Sequence, residues 1–565
     1  MAIVIAPLPR FFAILRSTRV GPRLATFAIL AVAALLFFGR LGERSLWSME
    51  LRWAEIPREM VLSGDYFRPT INGHLYYDKP LASYWLVLAA RWLTGTLDEA
   101  TARLPSAVAG LLGVVLIIDL GRRLFDRRTG VLAGLILATS FGYTGFARTA
   151  SADAETVAGT LAALALFVRC EGRSSGWWVV GLWAIMAVTS LTKGLLGFAL
   201  PLIVLITDAA LAGVGPLRHR LRWLCGPQSI VAAILATLIY AAPFALSGGS
   251  AGQGLSMVFR ENVQRFFDPA NHRGPVYLYF YVIIGLLAPW SLLLPASLAR
   301  IAGTWRCDIS RGDRFAVAYF AATFLFFTLA GSRRSYYLLP VLPAGALLVA
   351  RLLTVAPSEQ SVMTRRLVAI ACFLITIAVG LAGAALLPAA RLLPEPWNEL
   401  PPLPAVTTFA FGWLCCLAIS IWGWRRSQSG RVAVVFGTIA VLSMGYLHLI
   451  ALPMVERYRG EEEFAARVRL RLGADLAGLA LYRTREPVFY LAAPKPIPEF
   501  ETPDTLRNAM RPDGMNWVIG RSRDLAALGP VGTVVDTEPT QPWEDKSARA
   551  NKLQLVRVEF AAIEP

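Results

Sequence analysis

The chain has 565 residues, of which 56% are hydrophobic and only 16% are charged, with a formal net charge of +17. Soluble proteins carry about 25% charged residues, so the composition excludes an ordinary soluble protein. The positive charge does not indicate nucleic-acid binding, because the arginines concentrate in short loops between apolar runs, as the positive-inside rule describes. The sequence therefore predicts an α-helical polytopic membrane protein with no nucleic-acid partner.

About thirteen apolar runs are long enough to cross a bilayer, which takes about 20 residues each. They lie near 24–40, 105–121, 129–147, 155–169, 177–191, 194–212, 228–247, 277–299, 315–331, 336–354, 367–388, 405–424 and 432–453. Basic loops follow the even-numbered runs. A further apolar run, 80–93, would reverse this alternation if it crossed the membrane, so we expect it to lie at the membrane interface. The pattern predicts an outward C-terminus and a cytoplasmic N-terminus, retained as a signal anchor because no small-residue cleavage site follows.

The composition changes at about residue 455. Residues 1–454 hold the predicted spans and a long first outward loop, 41–104. Beyond them, EEEFAARVRLRLG has the pattern of an amphipathic helix, and LALYRTREPVFYLAA and GMNWVIGRS have the pattern of buried strands. We therefore expect a transmembrane domain over 1–454 and a small periplasmic α/β domain over 455–565.

The first outward loop contains SLWSMELRWAEIPREM (45–60), a charged stretch directly after a long apolar run. Pro57 is typical of the first turn of a helix and Gly64 of its end, so we expect a short helix lying flat on the membrane. Charge in this loop alone is equally typical of a solvated interface. Other ionisable groups at the outward membrane edge, where they are costly, favour a functional site: Asp153, Glu155, Lys193, Arg265, His272, Arg333 and Arg334.

Lysine, arginine and tyrosine donors beside a few carboxylates suit a phosphorylated lipid headgroup. The sequence has no G-x-x-x-x-G-K-[ST] loop, no H-E-x-x-H and no G-x-S-x-G. In a bacterial inner membrane, nucleotide-activated donors are absent outside, so a group transfer there draws on a lipid-linked donor. A transporter or flippase is the alternative class, but transporters usually carry ionisable residues near mid-membrane, whereas here these residues gather on one side.

Several linked motifs stand in order along residues 40–350. They are E-x-R-W-A-E-I-x-R-E-M (50–60), S-G-D (63–65), D-K-P with Y-W (78–80, 84–85), T-K-G (192–194), Q-R-F with H-R-x-P (264–266, 272–275), P-W (289–290) and Y-x-L (337–339). In these motifs the chain resembles the bacterial aminoarabinose lipid A transferase family and, more distantly, the protein O-mannosyltransferases. Both are GT-C membrane glycosyltransferases that use polyprenyl-phosphate sugars.

The resemblance implies a GT-C fold with about 13 spans and a sugar transfer to lipid A, a glycolipid or a glycan in the periplasm of the inner membrane. It implies that Lys79, Arg265 and Tyr337, assisted by Arg333, contact the donor phosphate and neutralise its charge as the polyprenyl phosphate leaves. Asp78 stands where relatives have glutamate and is the candidate ligand for a divalent metal, although the chain has only four histidines. A protein O-mannosyltransferase-like activity is the alternative within the enzyme class.

The resemblance also implies two catalytic carboxylates, Glu50 and Asp153, and it exposes one departure. Met49 stands where the family has an aspartate, and a thioether accepts no proton. A general base contributes about 10²–10⁴-fold when the acceptor is a hydroxyl group. Three interpretations are open: Glu50 has taken over as the base, the acceptor is a phosphate that is already ionised, or the protein binds lipid-linked sugars without catalysis.

Overall fold

The computed structural model describes residues 21–47, 49–77, 79–171, 176–213, 217, 221–246, 256, 264, 274–305, 309–385, 429–456, 459–473, 475–510, 515–528, 532–541 and 544–558. A bundle of apolar helices occupies most of the chain up to Glu456. A mixed β-sheet with short helices follows it.

In chain order the helices before residue 250 are Gly21–Phe38 (α1), Leu51–Ser63 (α2), Ala82–Thr94 (α3), Glu99–Leu124 (α4), Arg127–Ala138 (α5), Phe141–Ala147 (α6), Asp153–Cys170 (α7), Trp178–Lys193 (α8), Leu196–Leu211 (α9), Arg222–Cys225 (α10) and Pro227–Leu246 (α11). The bundle continues with Leu278–Leu286 (α12), Leu294–Thr304 (α13), Arg311–Leu329 (α14), Leu342–Thr354 (α15), Val362–Ala385 (α16), Ser429–Tyr446 (α17) and Leu452–Glu456 (α18). Short 3-10 segments lie at Trp290–Leu293, Ser335–Val341 and Pro357–Glu359, and a π turn lies at Leu447–Ala451.

Helices lie at every predicted span except 405–424, which is outside the described residues, as is the end of the predicted span 367–388. Within the described part of the chain, five helices are long and apolar enough to cross a membrane, and seven if each of two bent pairs counts as one span. Three shorter apolar helices, α1, α8 and α9, coincide with further predicted spans. The number of about thirteen spans stays a prediction.

The two bent pairs are a departure from the straight spans expected at 129–147 and 277–299. α5 and α6 meet at 67°, and α12 meets the Trp290–Thr304 segment at 116°. The breaks contact each other, because the Phe141 N–H donates to the Ala288 carbonyl at 3.0 Å and the Trp290 indole donates to Thr139 Oγ1 at 3.0 Å. Polar groups freed by a helix break inside an apolar bundle need such partners, so each break satisfies the other.

The first loop folds into α2, a small hairpin and α3. The hairpin pairs Thr70–Ile71 (β1) with His74–Leu75 (β2). Gly64 ends α2 in the left-handed conformation, at φ 72°, which confirms the predicted end of this helix. The predicted start is wrong, because α2 begins at Leu51 and Pro57 lies in its middle.

The chain after Glu456 forms a five-stranded sheet. Its strands are Leu479–Tyr482 (β3), Glu499–Phe500 (β4), Trp517–Arg521 (β5), Gly532–Thr537 (β6) and Leu553–Val558 (β7), in the order β4-β3-β5-β7-β6. β3 is parallel to both β4 and β5, whereas β7 is antiparallel to β5 and β6. The helices of this part are Glu461–Leu472 (α19), Val488–Leu491 (α20), Pro503–Ala509 (α21), Ser522–Ala526 (α22) and Lys546–Ala550 (α23).

The sheet unit and the first loop share one hydrophobic core. Trp53, Met60 and Tyr84 from the loop are buried in the same cluster as Phe464 and Leu491 from the sheet unit. Polar contacts fix the same interface: Asn72 exchanges two 2.7 Å hydrogen bonds with the Ile497 backbone, and Arg58 Nη1 donates to the Ala493 carbonyl at 2.8 Å. The loop is therefore held between the helix bundle and the sheet unit.

Candidate functional site

Glu50 is the N-cap residue of α2 and is almost completely buried, with 1% of its surface exposed. Arg103 on α4 forms a bidentate ion pair with it, Nε to Oε1 at 2.9 Å and Nη2 to Oε2 at 2.8 Å. The Ala150 N–H also donates to Glu50 Oε1, at 2.7 Å. Arg103 uses its remaining donors on the carbonyls of Leu41, Arg44 and Ser45.

This arrangement bears directly on the predicted base. A buried ion pair is tolerated because each charge compensates the other, and a carboxylate held by a bidentate arginine has little freedom to reach a substrate. The predicted role of Glu50 as the base stays a prediction. Besides Arg103, Glu50 binds the backbone N–H of Ala150, three residues before Asp153.

The second predicted carboxylate, Asp153, begins α7 and forms an ion pair with Lys193. Both side chains are largely buried, with 6% and 13% exposed. Lys193 is the last residue of α8, and Gly194 follows it at φ 91°, a conformation that residues with a side chain rarely adopt. The chain then turns directly into α9, so the Thr192-Lys193-Gly194 motif forms the tight turn that aims the ammonium group at Asp153.

Two tyrosines complete the surroundings of Lys193. Its Nζ lies 5.5 Å from the ring centroids of both Tyr336 and Tyr337, within the range of a cation–π contact. The two rings meet edge to face, with centroids 5.0 Å apart. Arg334 Nη1 donates to the Tyr336 hydroxyl group at 2.8 Å. A carboxylate, an ammonium group and a guanidinium group are thus gathered around two phenol rings.

The predicted donor-phosphate residues occupy different positions. Tyr337 belongs to the cluster around Lys193. Lys79 precedes α3, whose Ser83 hydroxyl group donates to the Thr192 carbonyl at 2.6 Å, which brings this segment to the same turn. Arg333 donates to the carbonyls of Gly274 and Thr328, at 2.6 Å and 3.0 Å, and so holds two chain segments together. Arg265 lies outside the described residues.

Met49 faces a cleft of about 370 Å³ between the first loop and the sheet unit. Arg52, Glu55 and Tyr76 line it from the loop, Arg334 from the helix bundle, and Arg485, Glu486 and Phe489 from the sheet unit. Met49, at which the resemblance implies an aspartate in the family, is therefore at a cavity surface and not inside the packed core.

A metal site has no support among the residues that the structure describes, because they contain no group of three or more His, Cys, Asp or Glu side chains able to hold an ion. Asp78, the one candidate ligand, lies outside them.

The sequence did not predict the ion-pair partners of the two candidate carboxylates, Glu50 and Asp153. Arg103, the partner of Glu50, stands in EATARLPSAVAG at the start of an apolar run, and an arginine there requires a buried partner. The sequence indicates that Lys193 is an outward charge, but it does not indicate the pairing of Lys193 with Asp153. In the second case the motif T-K-G was the available signal, since glycine after lysine predicts a tight turn at the helix end.

Comparison with known proteins gives the family. The sequence model described as dolichyl-phosphate-mannose-protein mannosyltransferase matches residues 78–244. The undecaprenyl phosphate-alpha-4-amino-4-deoxy-L-arabinose arabinosyl transferase of Edwardsiella ictaluri is 30% identical over 439 residues, which covers 73% of this chain and 76% of the relative. That of Pectobacterium atrosepticum is 30% identical over 425 residues, which covers 72% of each chain.

The fold agrees with that assignment. The crystal structure of ArnT from Cupriavidus metallidurans bound to undecaprenyl phosphate superposes with a TM-score of 0.73 and 23% sequence identity, covering 95% of this chain and 98% of that chain. The resemblance of the motifs and the expected GT-C fold are thereby confirmed. The chain belongs to the undecaprenyl phosphate-alpha-4-amino-4-deoxy-L-arabinose arabinosyl transferase family, whose members are membrane glycosyltransferases.

Proposed function

We propose that this protein transfers 4-amino-4-deoxy-L-arabinose from undecaprenyl phosphate to lipid A or a related glycolipid on the periplasmic side of the inner membrane. The named relatives supply the donor and the pentosyl group. The observation that carries the proposal is the buried Asp153–Lys193 pair beside Tyr336 and Tyr337, because it combines a carboxylate with phosphate-binding donors.

The reaction forms one bond and breaks one. An acceptor oxygen attacks the anomeric carbon of the sugar, and the bond from that carbon to the phosphate oxygen breaks, so undecaprenyl phosphate leaves with the electron pair. Lys79, Arg265 and Tyr337 stabilise the negative charge that develops on the leaving phosphate, with Arg333 holding the segment that follows Arg265. Stabilisation of developing charge by fixed donors is usually the largest catalytic contribution.

Asp153 is the carboxylate at the reaction centre. It forms an ion pair with Lys193, and its carboxylate stabilises positive charge that develops on the sugar ring as the leaving group departs. Glu50 acts through the chain, because its hydrogen bond to the Ala150 N–H fixes the segment that leads to Asp153. Of the three interpretations of Met49, this division of roles favours an acceptor that needs no base.

The topology belongs to the same proposal. In this proposal the chain has about thirteen spans, with the N-terminus in the cytoplasm and the first loop in the periplasm. Residues 1–454 form the transmembrane domain, and residues 455–565 form a periplasmic domain. A reporter fused after residue 456 that is active only in the periplasm tests this arrangement. Activity of a cytoplasmic reporter at that position would contradict it.

The function is tested with purified protein in detergent or liposomes. Undecaprenyl-phosphate aminoarabinose and lipid A are supplied, and both the modified lipid and released undecaprenyl phosphate are measured by mass spectrometry. We expect equal amounts of the two products. Donors that carry a hexose, and a serine- and threonine-containing peptide as acceptor, are the controls. Transfer of mannose to the peptide would favour the O-mannosyltransferase alternative, and binding without turnover of any donor would favour a catalytically inactive protein.

A further inference from the structure

We propose that Glu155 binds the amino group of the transferred sugar and so determines which sugar the protein accepts. The inference rests on the proposed function, because it assumes transfer of 4-amino-4-deoxy-L-arabinose, whose amino group is an ammonium cation near neutral pH. It adds a specificity-determining residue to the proposed reaction centre and names the chemical group that this residue recognises.

Glu155 has a hydrogen-bond acceptor that is buried and unused. It lies in the first turn of α7, and 8% of its surface is exposed, against 6% for Asp153. Its Oε1 accepts a hydrogen bond from the Ser106 hydroxyl group at 3.1 Å. Its Oε2 has no hydrogen-bond partner among the residues that the structure describes. Buried polar atoms without partners are rare in native proteins, so this oxygen requires an explanation, and a ligand atom supplies one.

The donors around Glu155 are already engaged. Ser106 Oγ has a single hydrogen, and the Ser151 carbonyl also accepts from it, at 2.9 Å. Lys193 is within electrostatic range of Glu155, but its ammonium group is paired with Asp153. Burial penalises an ionised carboxyl group that no cation compensates. The missing partner of Glu155 is therefore a group that brings both a hydrogen-bond donor and a positive charge.

The position of Glu155 fits the shape of the sugar. Asp153 reaches Lys193 on α8, whereas Glu155 reaches Ser106 on α4, so the two carboxyl groups lie on different sides of α7. Helical side chains lean towards the N-terminus of their helix, so both point to the end of α7 at which the proposed reaction centre lies. In a pyranose ring the anomeric carbon C1 and the amino-bearing carbon C4 are on opposite sides. A ring at the start of α7 with C1 at Asp153 therefore presents its amino group to Glu155.

Glu155 also has a freedom of movement that Glu50 lacks. Arg103 holds both oxygens of Glu50, at 2.9 Å and 2.8 Å, whereas one hydrogen bond of 3.1 Å holds Glu155. The carboxyl group of Glu155 can therefore rotate about its side-chain bonds to meet a ligand. Glu155, and not Glu50, is available for binding.

The test compares two donors that differ only at C4, undecaprenyl-phosphate 4-amino-4-deoxy-L-arabinose and undecaprenyl-phosphate L-arabinose, in which a hydroxyl group replaces the amine. The ratio of their kcat/KM values is measured for the wild type, Glu155→Gln and Glu171→Gln. Glu171 is the matched control, because it follows the other end of the same helix and its ion pair with Arg311 is exposed.

We expect the wild type to prefer the amino donor roughly tenfold or more, because the hydroxyl donor cannot form the charge-assisted hydrogen bond. Glu155→Gln should reduce this ratio about tenfold, for the same reason. Glu155→Asp should keep part of the preference, since it keeps the carboxylate, and Glu171→Gln should match the wild type.

The ratio separates recognition from a purely structural role. If Glu155 only ties α7 to α4 through Ser106, Glu155→Gln lowers transfer from both donors equally and leaves the ratio unchanged, which would overturn the inference. Equal use of the two donors by the wild type would also overturn it, would leave the glycosyltransferase function intact, and can be measured even if no variant folds. Failure of the wild type to transfer either sugar would contradict the proposed function itself.

Discussion

At the scale of single residues, the charged side chains of this protein work in pairs whose members are far apart in the sequence. Glu50 and Arg103 are 53 positions apart, and Asp153 and Lys193 are 40 apart. Both pairs are buried, so each member makes the other tolerable in an apolar environment. The two pairs differ in what surrounds them: backbone carbonyls enclose the first, whereas aromatic rings and an arginine surround the second.

Replacing Arg103 with methionine tests the structural role of the first pair. We expect Arg103→Met to lower the free energy of unfolding by about 3–5 kcal/mol, because Glu50 is left as an uncompensated buried charge. The double variant Glu50→Leu with Arg103→Met should recover most of this loss. Arg122→Met on the same helix is the control, since its ion pair with Asp119 is at the surface. Denaturant unfolding in detergent micelles measures all of them, and equal stability of Arg103→Met and the control would contradict the assignment.

At the scale of elements, short turns and helix breaks determine where the side chains of the candidate site lie, and the long helices hold these turns and breaks in place. Gly194 joins α8 to α9 and aims Lys193, and the two helix breaks at Thr139 and Pro289 hold each other through hydrogen bonds. Hydropathy predicted the apolar helices well because burial in a bilayer needs length and apolarity. It did not predict the breaks, because a window of apolar residues looks the same whether the helix inside it is straight or bent.

A methyl group at the turn tests its importance. Gly194→Ala forces a side chain into a conformation at φ 91°, which costs about 1–3 kcal/mol or moves Lys193. Because misplacement by about 1 Å can cost roughly 100-fold in rate, we expect transfer to fall about 10- to 100-fold. Gly181→Ala on the same helix is the control, since its added carbon meets only Leu166, at an ordinary 3.4 Å. If both variants transfer sugar at the wild-type rate, the turn does not position the lysine.

At the scale of the whole molecule, the sheet unit and the first loop form one body around a common core. The reaction centre that we propose lies where this body meets the helices. The sequence predicted the helical bundle, the family and strands within 479–493 and 514–522. The structure has β3 and β5 there, but the second half of the first stretch forms the helix α20. It did not predict that the sheet unit closes over the first loop, because hydrophobic residues on both surfaces look like independent cores. Asp153 was predicted from its position at the outward edge of an apolar run and from the family resemblance, whereas its pairing with Lys193 depends on the packing of α7 against α8.

The stability of this joined body should depend on pH through Glu461. Burial, with Glu538 and Glu486 nearby, raises the pKa of Glu461 from its ordinary 4.5 to about 7. Because the protonated carboxyl group of Glu461 is favoured in the folded protein, the contribution of Glu461 to stability is present below about pH 4.5 and is lost as the pH rises through about 7. We expect Glu461→Gln to gain roughly 2–3 kcal/mol relative to the wild type between pH 5 and pH 8. Thermal unfolding at both pH values measures this difference, with the exposed Glu463→Gln as control; parallel pH profiles for wild type and Glu461→Gln would contradict it.

We propose that Asp153 acts at the reaction centre and that Glu50 positions it. The most direct measurement is the single-turnover rate of transfer, per folded molecule, for Asp153→Asn and Glu50→Gln in the same membranes with donor bound in excess. We predict that Asp153→Asn loses about 10²–10³-fold, because one group that stabilises charge in the transition state is removed, whereas Glu50→Gln stays within about tenfold of the wild type once its folded fraction is counted. A Glu50→Gln protein that is folded but as inactive as Asp153→Asn would contradict the positioning role of Glu50 and make Glu50 the base.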